Sequence, residues 1–93
     1  MQIQRVVRDL VTTKRNFWLQ AKPLRVVEDW RGNLEVAVDP IGCKPGDFVI
    51  TIGYSAARIA TGNPKITTDL TIGGIIDHWD EARWRDEIPA IAP

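Results

Sequence analysis

Apolar positions along the chain change their spacing several times, and each change marks an element. In residues 68–79, TDLTIGGIIDHW, Leu70, Ile72 and Ile76 share one parity while Ile75 and Trp79 share the other, so a strand here is buried on both faces. Such a strand needs cover on two sides. Gly73 and Gly74 weaken an isolated strand and fit a bulge, a barrel corner or the close approach of another backbone. A 93-residue chain supplies one side from its own core, and the other is expected from a second copy.

Over residues 2–13 the apolar positions are Ile3, Val6, Val7, Leu10 and Val11, the spacing of an amphipathic helix. The β-branched content and the lack of a helix cap leave a strand equally open. Residues 14–23 read as a loop that carries Phe17, Trp18 and Leu19, either a lid over the core or an interface patch. Residues 24–30 and 34–38 form a hairpin pattern around the turn Arg31-Gly32-Asn33, with Leu34, Val36 and Val38 alternating against Glu35, Ala37 and Asp39. Lys44-Pro45-Gly46-Asp47 predicts a type II turn with Gly46 at positive φ. Phe48, Ile50, Ile52 and Tyr54 alternate with Val49, Thr51 and Gly53 as a further strand. Residues 55–60 then read as a short helix with Ser55 as N-cap, ended by Gly62 and Pro64. Five β segments with one short helix before the last describe a small all-β barrel of the oligonucleotide-binding type, OB-like for short.

Charge and composition narrow the functions open to such a barrel. Twelve basic and twelve acidic residues cancel, which argues against a general binder of nucleic acid or membrane surfaces. The distribution is uneven: residues 1–31 hold seven Lys/Arg against three Asp/Glu, and residues 32–93 hold five against nine, so positive and negative faces are available for docking. The single Cys43 excludes an internal disulfide framework and reads as a small buried hydrophobe in a reducing compartment. No signal peptide and no membrane-spanning apolar run is legible, so the chain is expected to be soluble and intracellular. After Trp79 the sequence is dense in charge around Trp84 and ends in IPAIAP, a tail without an assigned role.

The chemistry-bearing residues form no catalytic or metal-binding set. One His and one Cys do not fill a structural zinc site. Ser55, Asp77 and His78 invite a triad, but GYSAA lacks the second glycine of a nucleophile elbow, and adjacent strand residues point to opposite faces. No phosphate loop follows Gly53 or Gly62. The rival to a structural role is a single-strand nucleic-acid binder using Arg5, Trp18, Lys22, Arg25 and Trp30 on an open barrel face.

Six stretches together, namely residues 1–13, PLRVV at 23–27, VAVDPIG at 36–42, PGDFV at 45–49, GYSAAR at 53–58 and residues 69–79, closely resemble the pentameric vertex proteins of bacterial microcompartment shells. GYSAAR followed by DLTIGGIIDHW looks most like the alpha-type carboxysome branch, the second of its two vertex paralogues. The resemblance covers residues 1–79, which it makes one OB-like barrel domain, and leaves residues 80–93 as a C-terminal tail. It implies a strand, not a helix, at the N-terminus. It further implies assembly into a cyclic homopentamer that caps the vertices of a carboxysome shell beside hexameric shell proteins, in the bacterial cytoplasm. No enzymatic activity, cofactor, metal, nucleic acid or membrane belongs to that role. By the same resemblance Gly53, Tyr54 and Ser55 lie near an axial pore, where Tyr54 replaces the small residue expected, and Ile72, Gly73, Gly74, Ile75 and Ile76 serve the core strand and the subunit interface.

Overall fold

A computed structural model describes residues 1–14, 19, 22–79 and 84. Five strands, β1 (Gln2–Leu10), β2 (Leu24–Glu28), β3 (Leu34–Val38), β4 (Phe48–Gly53) and β5 (Leu70–Ile75), and one helix, α1 (Tyr54–Ala60), follow one another in that order with α1 before β5. The strands close into a barrel in the order β1-β2-β3-β5-β4, all neighbours antiparallel except β3 and β5, which meet in parallel at Val38 and Thr71.

Closure depends on two register shifts. In the β1–β2 ladder Val6 faces Val27 and Arg8 faces Val26, so Val7 is the extra residue. A bulge interrupts the two-residue period, which is why Ile3, Val6, Val7 and Leu10 carry helical spacing on what is a strand. On its other side β1 continues its pairing with β4 into the 45–47 turn: Val6 N–H donates to Asp47 O at 2.9 Å and its carbonyl accepts from Gly46 N–H at 2.8 Å. The second shift is at Gly73, passed over between the pairs Ile50–Gly74 and Thr51–Ile72. A Cβ on Gly73 would stand 2.6 Å from Ile52 Cδ1, whereas one on Gly74 would meet nothing within 4 Å. The first glycine answers to the bulge; the barrel itself makes no steric demand for the second.

The interior is filled by Val6, Val27, Ala37, Cys43, Val49, Leu70 and Ile72. These are mostly small or β-branched, as a narrow barrel requires. Two expected faces therefore depart from the alternation, one of them only in part. On β4 the buried residues are Val49 and Thr51, while Ile50 is 38% exposed and the chain leaves the strand at Tyr54, 88% exposed. On β3 Leu34 and Val36 are exposed and Ala37 is buried, while Val38 of the expected row is buried as expected. The aliphatic row marked the strands correctly but not, at Leu34, Val36 and Ile50, the inner face. β5 is covered on both faces over Leu70, Thr71 and Ile72, with Thr71 Oγ1–H donating to Ala57 O of α1 at 2.6 Å, so this chain covers the first half of that strand unaided.

Turn chemistry follows the residues. Gly32, Gly46 and Gly62 all adopt positive φ, and Asp47 N–H donates to Lys44 O at 3.1 Å to close the Pro-Gly turn. The cap of α1 differs from expectation: Gly53 is the N-cap, no side chain caps the helix, and Ser55 lies inside it, because the helix opens one residue earlier at Tyr54. Phe17 and Trp18 lie outside the described residues; Leu19 is half-buried. Cys43 is buried, in agreement with a hydrophobe's role.

One polar cluster holds the loop after β3. Asp39, 1% exposed, accepts from the backbone N–H of Ile41 (3.0 Å) and Gly42 (2.8 Å) through Oδ1 and of Cys43 (2.7 Å) through Oδ2. Arg25 Nε donates to the same Oδ2 at 2.9 Å, and its Nη1 donates to Asp9 at 2.8 Å. Burial alone raises the carboxyl's pKa, but the amides of Gly42, Cys43 and Ile41 with the Arg25 guanidinium outweigh it, so Asp39 titrates below the ordinary value of 3.8. A folded-state pKa below the unfolded one stabilises the fold above about pH 3.8 and is lost as pH falls through the folded value. Asp39→Ala strands three amides and a guanidinium and is expected to cost about 3 kcal/mol in denaturant unfolding. Asp39→Asn should flatten the acid limb of melting temperature against pH; a limb unchanged from the parent would remove Asp39 from acid sensitivity. Desolvation, followed by the Asp39 charge, pushes the Cys43 thiol up to about 12. Iodoacetamide at pH 8 is accordingly expected to leave native Cys43 unmodified and to label it once the chain is unfolded.

Candidate assembly surface

Putting small residues inside leaves large apolar residues outside. Leu34 (54% exposed) and Val36 (46%) on β3, Ile50 (38%) on β4 and Ile75 (39%) on β5 all lie on strands, and Ile59 (72%) projects from α1. β3, β5 and β4 are consecutive in the barrel, so three of its five strands carry apolar residues to solvent. That share is far above the scattered surface apolars any protein shows.

Tyr54 stands where β4 passes into α1. Its φ of 57° is left-handed, the sole positive φ outside glycine among the described residues. A side chain in that region costs about 1–2 kcal/mol. Its N–H donates to Asp69 O at 2.8 Å, tying the start of α1 to the start of β5, while its ring is exposed. Two concavities share Tyr54 and Asp69. A cleft of about 440 Å³ at the barrel end runs between Gln2, Glu35, Val36, Gly53 and Leu70, and an open groove of about 1150 Å³ runs along Ser55, Arg58, Pro64, Lys65 and Ile66 to Leu19. Beneath the cleft, buried Gln4 donates from Nε2 to Glu35 Oε1 at 3.1 Å and accepts from Thr51 Oγ1–H at 2.5 Å. This polar chain inside the barrel has no signal in the sequence, where Gln4 reads as an ordinary polar residue between apolar neighbours.

The residues weighed for other chemistries fall apart in space. Ser55 follows the end of β4, while Asp77 and His78 follow β5, whose next residue Ile76 donates its N–H to Phe48 O at the start of β4. A strand of six residues, about 20 Å, separates them. Of the groups proposed for a nucleic-acid face, Arg5 pairs with Glu28 and Arg25 with Asp9 and Asp39. Trp30 has the Arg31 guanidinium 4.5 Å from its ring centroid, and Trp18 lies outside the described residues. Among the described residues no three His, Cys, Asp or Glu gather as a metal site. None of the described helices is long and apolar enough to cross a membrane.

Five strands closed into an OB-like barrel with apolar residues on the outer face place the chain in the class of small β-barrel proteins. The chain belongs to the family described as ethanolamine utilisation protein EutN/carboxysome, whose pattern matches residues 1–77. It is 53% identical to the carboxysome shell vertex protein CsoS4B of Halothiobacillus neapolitanus over 85% of this chain and 98% of that one. It is 54% identical to CsoS4A of Prochlorococcus marinus over 86% and 90%. The two paralogues match almost equally, so the carboxysome branch is clear and the identities do not favour the second paralogue. The solved structure of the same CsoS4B superposes with a TM-score of 0.80 at 51% identity, covering 84% of this chain and all of that one. The pentameric microcompartment shell protein GrpN of Rhodospirillum rubrum gives 0.72 at 28% identity over 86% and 98%.

Tyr54→Gly removes an exposed ring and the cost of left-handed backbone together. The barrel is expected to keep its melting temperature or gain up to about 1 kcal/mol. A melt several degrees lower would show that the ring supports the barrel itself.

Proposed function

We propose that this chain is a structural shell protein of the carboxysome, five copies of which close into a ring that caps a shell vertex. The carrying observation is the apolar outer face of β3, β5 and β4 on a barrel whose core is already complete. Shell relatives at about half identity over nearly their whole length support the same role. A heterologous contact, one face of a copy on a different face of the next, closes into a ring when its rotation fits. Leu34 and Val36 on β3 and Ile75 and Ile76 on β5 lie on opposite sides of the parallel Val38–Thr71 pair and form two separate contact patches, as a heterologous contact requires; Gly73 and Gly74 lie beside the second, and Ile72 serves the core. Gly53, Tyr54 and Ser55 end β4 at the axis, where five exposed Tyr54 rings narrow any opening. The barrel domain is residues 1–79, and the ring meets hexameric shell proteins along its rim. The role is geometric: flat hexagonal layers curve only where pentagons are placed, and no chemistry is performed.

Native mass spectrometry of the purified chain is expected to give a pentamer. Ile75→Glu places a charge on the contact face without touching the core and should yield folded monomers with the parent's circular dichroism. A parent that stays monomeric at micromolar concentration, or a variant that still forms the ring, would overturn the assignment of this face.

A further inference from the structure

β3 and β5 close the barrel through one pair, Val38 with Thr71, and the chain stops their ladder on both sides of it. Two residues past Val38 stands Pro40, which has no N–H to give. Ahead of Thr71 the N–H of Leu70 donates to Thr68 Oγ1 at 3.2 Å, so a local turn takes the donor that a longer ladder would offer to Val36. Each strand therefore runs on past the pair with one side bare.

Ladder phase shows which groups are bare, because alternate residues of an antiparallel strand bond to the same neighbour. Asp29 N–H donates to Asn33 O at 3.0 Å and Asp39 N–H donates to Pro23 O at 2.9 Å, so Asn33, Glu35, Ala37 and Asp39 bond toward β2. Leu34, Val36 and Val38 then turn their N–H and C=O groups the other way. Val38 meets β5 there; Leu34 and Val36, both exposed, have no strand beside them. On β5, Ile76 N–H donates to Phe48 O at 2.8 Å, which puts Ile76 and Gly74 toward β4 and turns the backbone of Ile75 to the side that Pro40 has left open.

The cleft of about 440 Å³ lies at the β3 opening, with Glu35 and Val36 on one bank, Asp69 and Leu70 on the other and Gly53 and Tyr54 at its end. A bare strand edge beside a cleft suits an extended segment that adds main-chain hydrogen bonds. Solvent-facing edges are ordinarily blunted by lysine, proline or a bulge, yet this one carries Leu34 and Val36. We propose that residues 74–76 of a neighbouring copy dock as an added strand on the β3 edge at Leu34 and Val36, so that each copy completes in the next the β3–β5 seam that it leaves half-made in itself. The two bare edges belong to the same two strands and lie on opposite sides of the Val38–Thr71 pair, so they cannot meet within one chain but can meet head to tail between two. Gly74 has no Cβ to hold the backbones apart. The inference rests on the ring proposed above and adds to it the main-chain bonds that join its copies.

The test uses the full chain. Val36→Pro deletes the outward N–H and leaves the β2–β3 bonds in place, since Val36 gives none to β2. Val36→Thr keeps that N–H and the β-branched shape. Native mass spectrometry at micromolar concentration is expected to show Val36→Pro as a monomer with the parent's circular dichroism and Val36→Thr as a pentamer. A pentameric Val36→Pro, or equal loss of the ring in both variants, would give the contact to side chains alone and overturn the proposal while the parent's ring stands. Amide hydrogen exchange, read residue by residue by NMR, needs no substitution on β3. The Leu34 and Val36 amides should exchange about tenfold or more slowly in the parent ring than in the Ile75→Glu monomer. Matching rates in the two states would overturn the proposal, and a parent that never assembles would remove the ring and this pairing together.

Discussion

The volume enclosed by five strands is the constraint from which the other features follow. A barrel this narrow is filled by Val6, Val27, Ala37, Val49, Leu70 and Ile72. Ile50, Leu34 and Val36 are accordingly turned outward, although their alternation alone would have turned them in. An oily exterior is thus the consequence of a small interior, and association with other copies is how such a surface is removed from water.

Closing the barrel needs local irregularities, and the chain supplies residues suited to each. Val7 and Gly73 absorb the two register shifts that bend β1 and β5. Asp39 gathers three successive amides after β3, and Arg25 bridges that loop to β1 through Asp9. The turn at 45–47 extends the β1–β4 ladder by one step through Val6. A buried carboxylate is tolerable only because each oxygen has two donors. It fixes the loop that places Cys43 in the core.

The surface proposed for assembly was legible in part. The DLTIGGII stretch announced a strand with unusual cover, and β5 proves doubly buried over its first half and at the barrel's edge over its second. Two adjacent glycines pointed to a bulge or a close backbone; the bulge falls at Gly73, while a Cβ on Gly74 would meet nothing within 4 Å. Tyr54 was singled out by the resemblance, but its left-handed φ was not, because propensity argues against it; its N–H donates to Asp69 O in that conformation. The nucleic-acid alternative drew on Arg5 and Arg25, whose carboxylate partners arrive from other strands and are remote in sequence.

What the residues determined unaided were the five strands after the N-terminal ambiguity, the positive-φ glycines, the short helix and, through the combination of GYSAAR with DLTIGGIIDHW, the family. These are local properties: period, turn chemistry and motif order are carried by neighbours in the chain. Tertiary structure alone decided which parity of β3 and β4 faces inward, that Gln4 is buried on Thr51 and Glu35, and that Trp84 belongs to the barrel through Phe48. The physical reason is the same in each case. Inside and outside are defined by closure, and closure is set by strands far apart in sequence competing for one small volume.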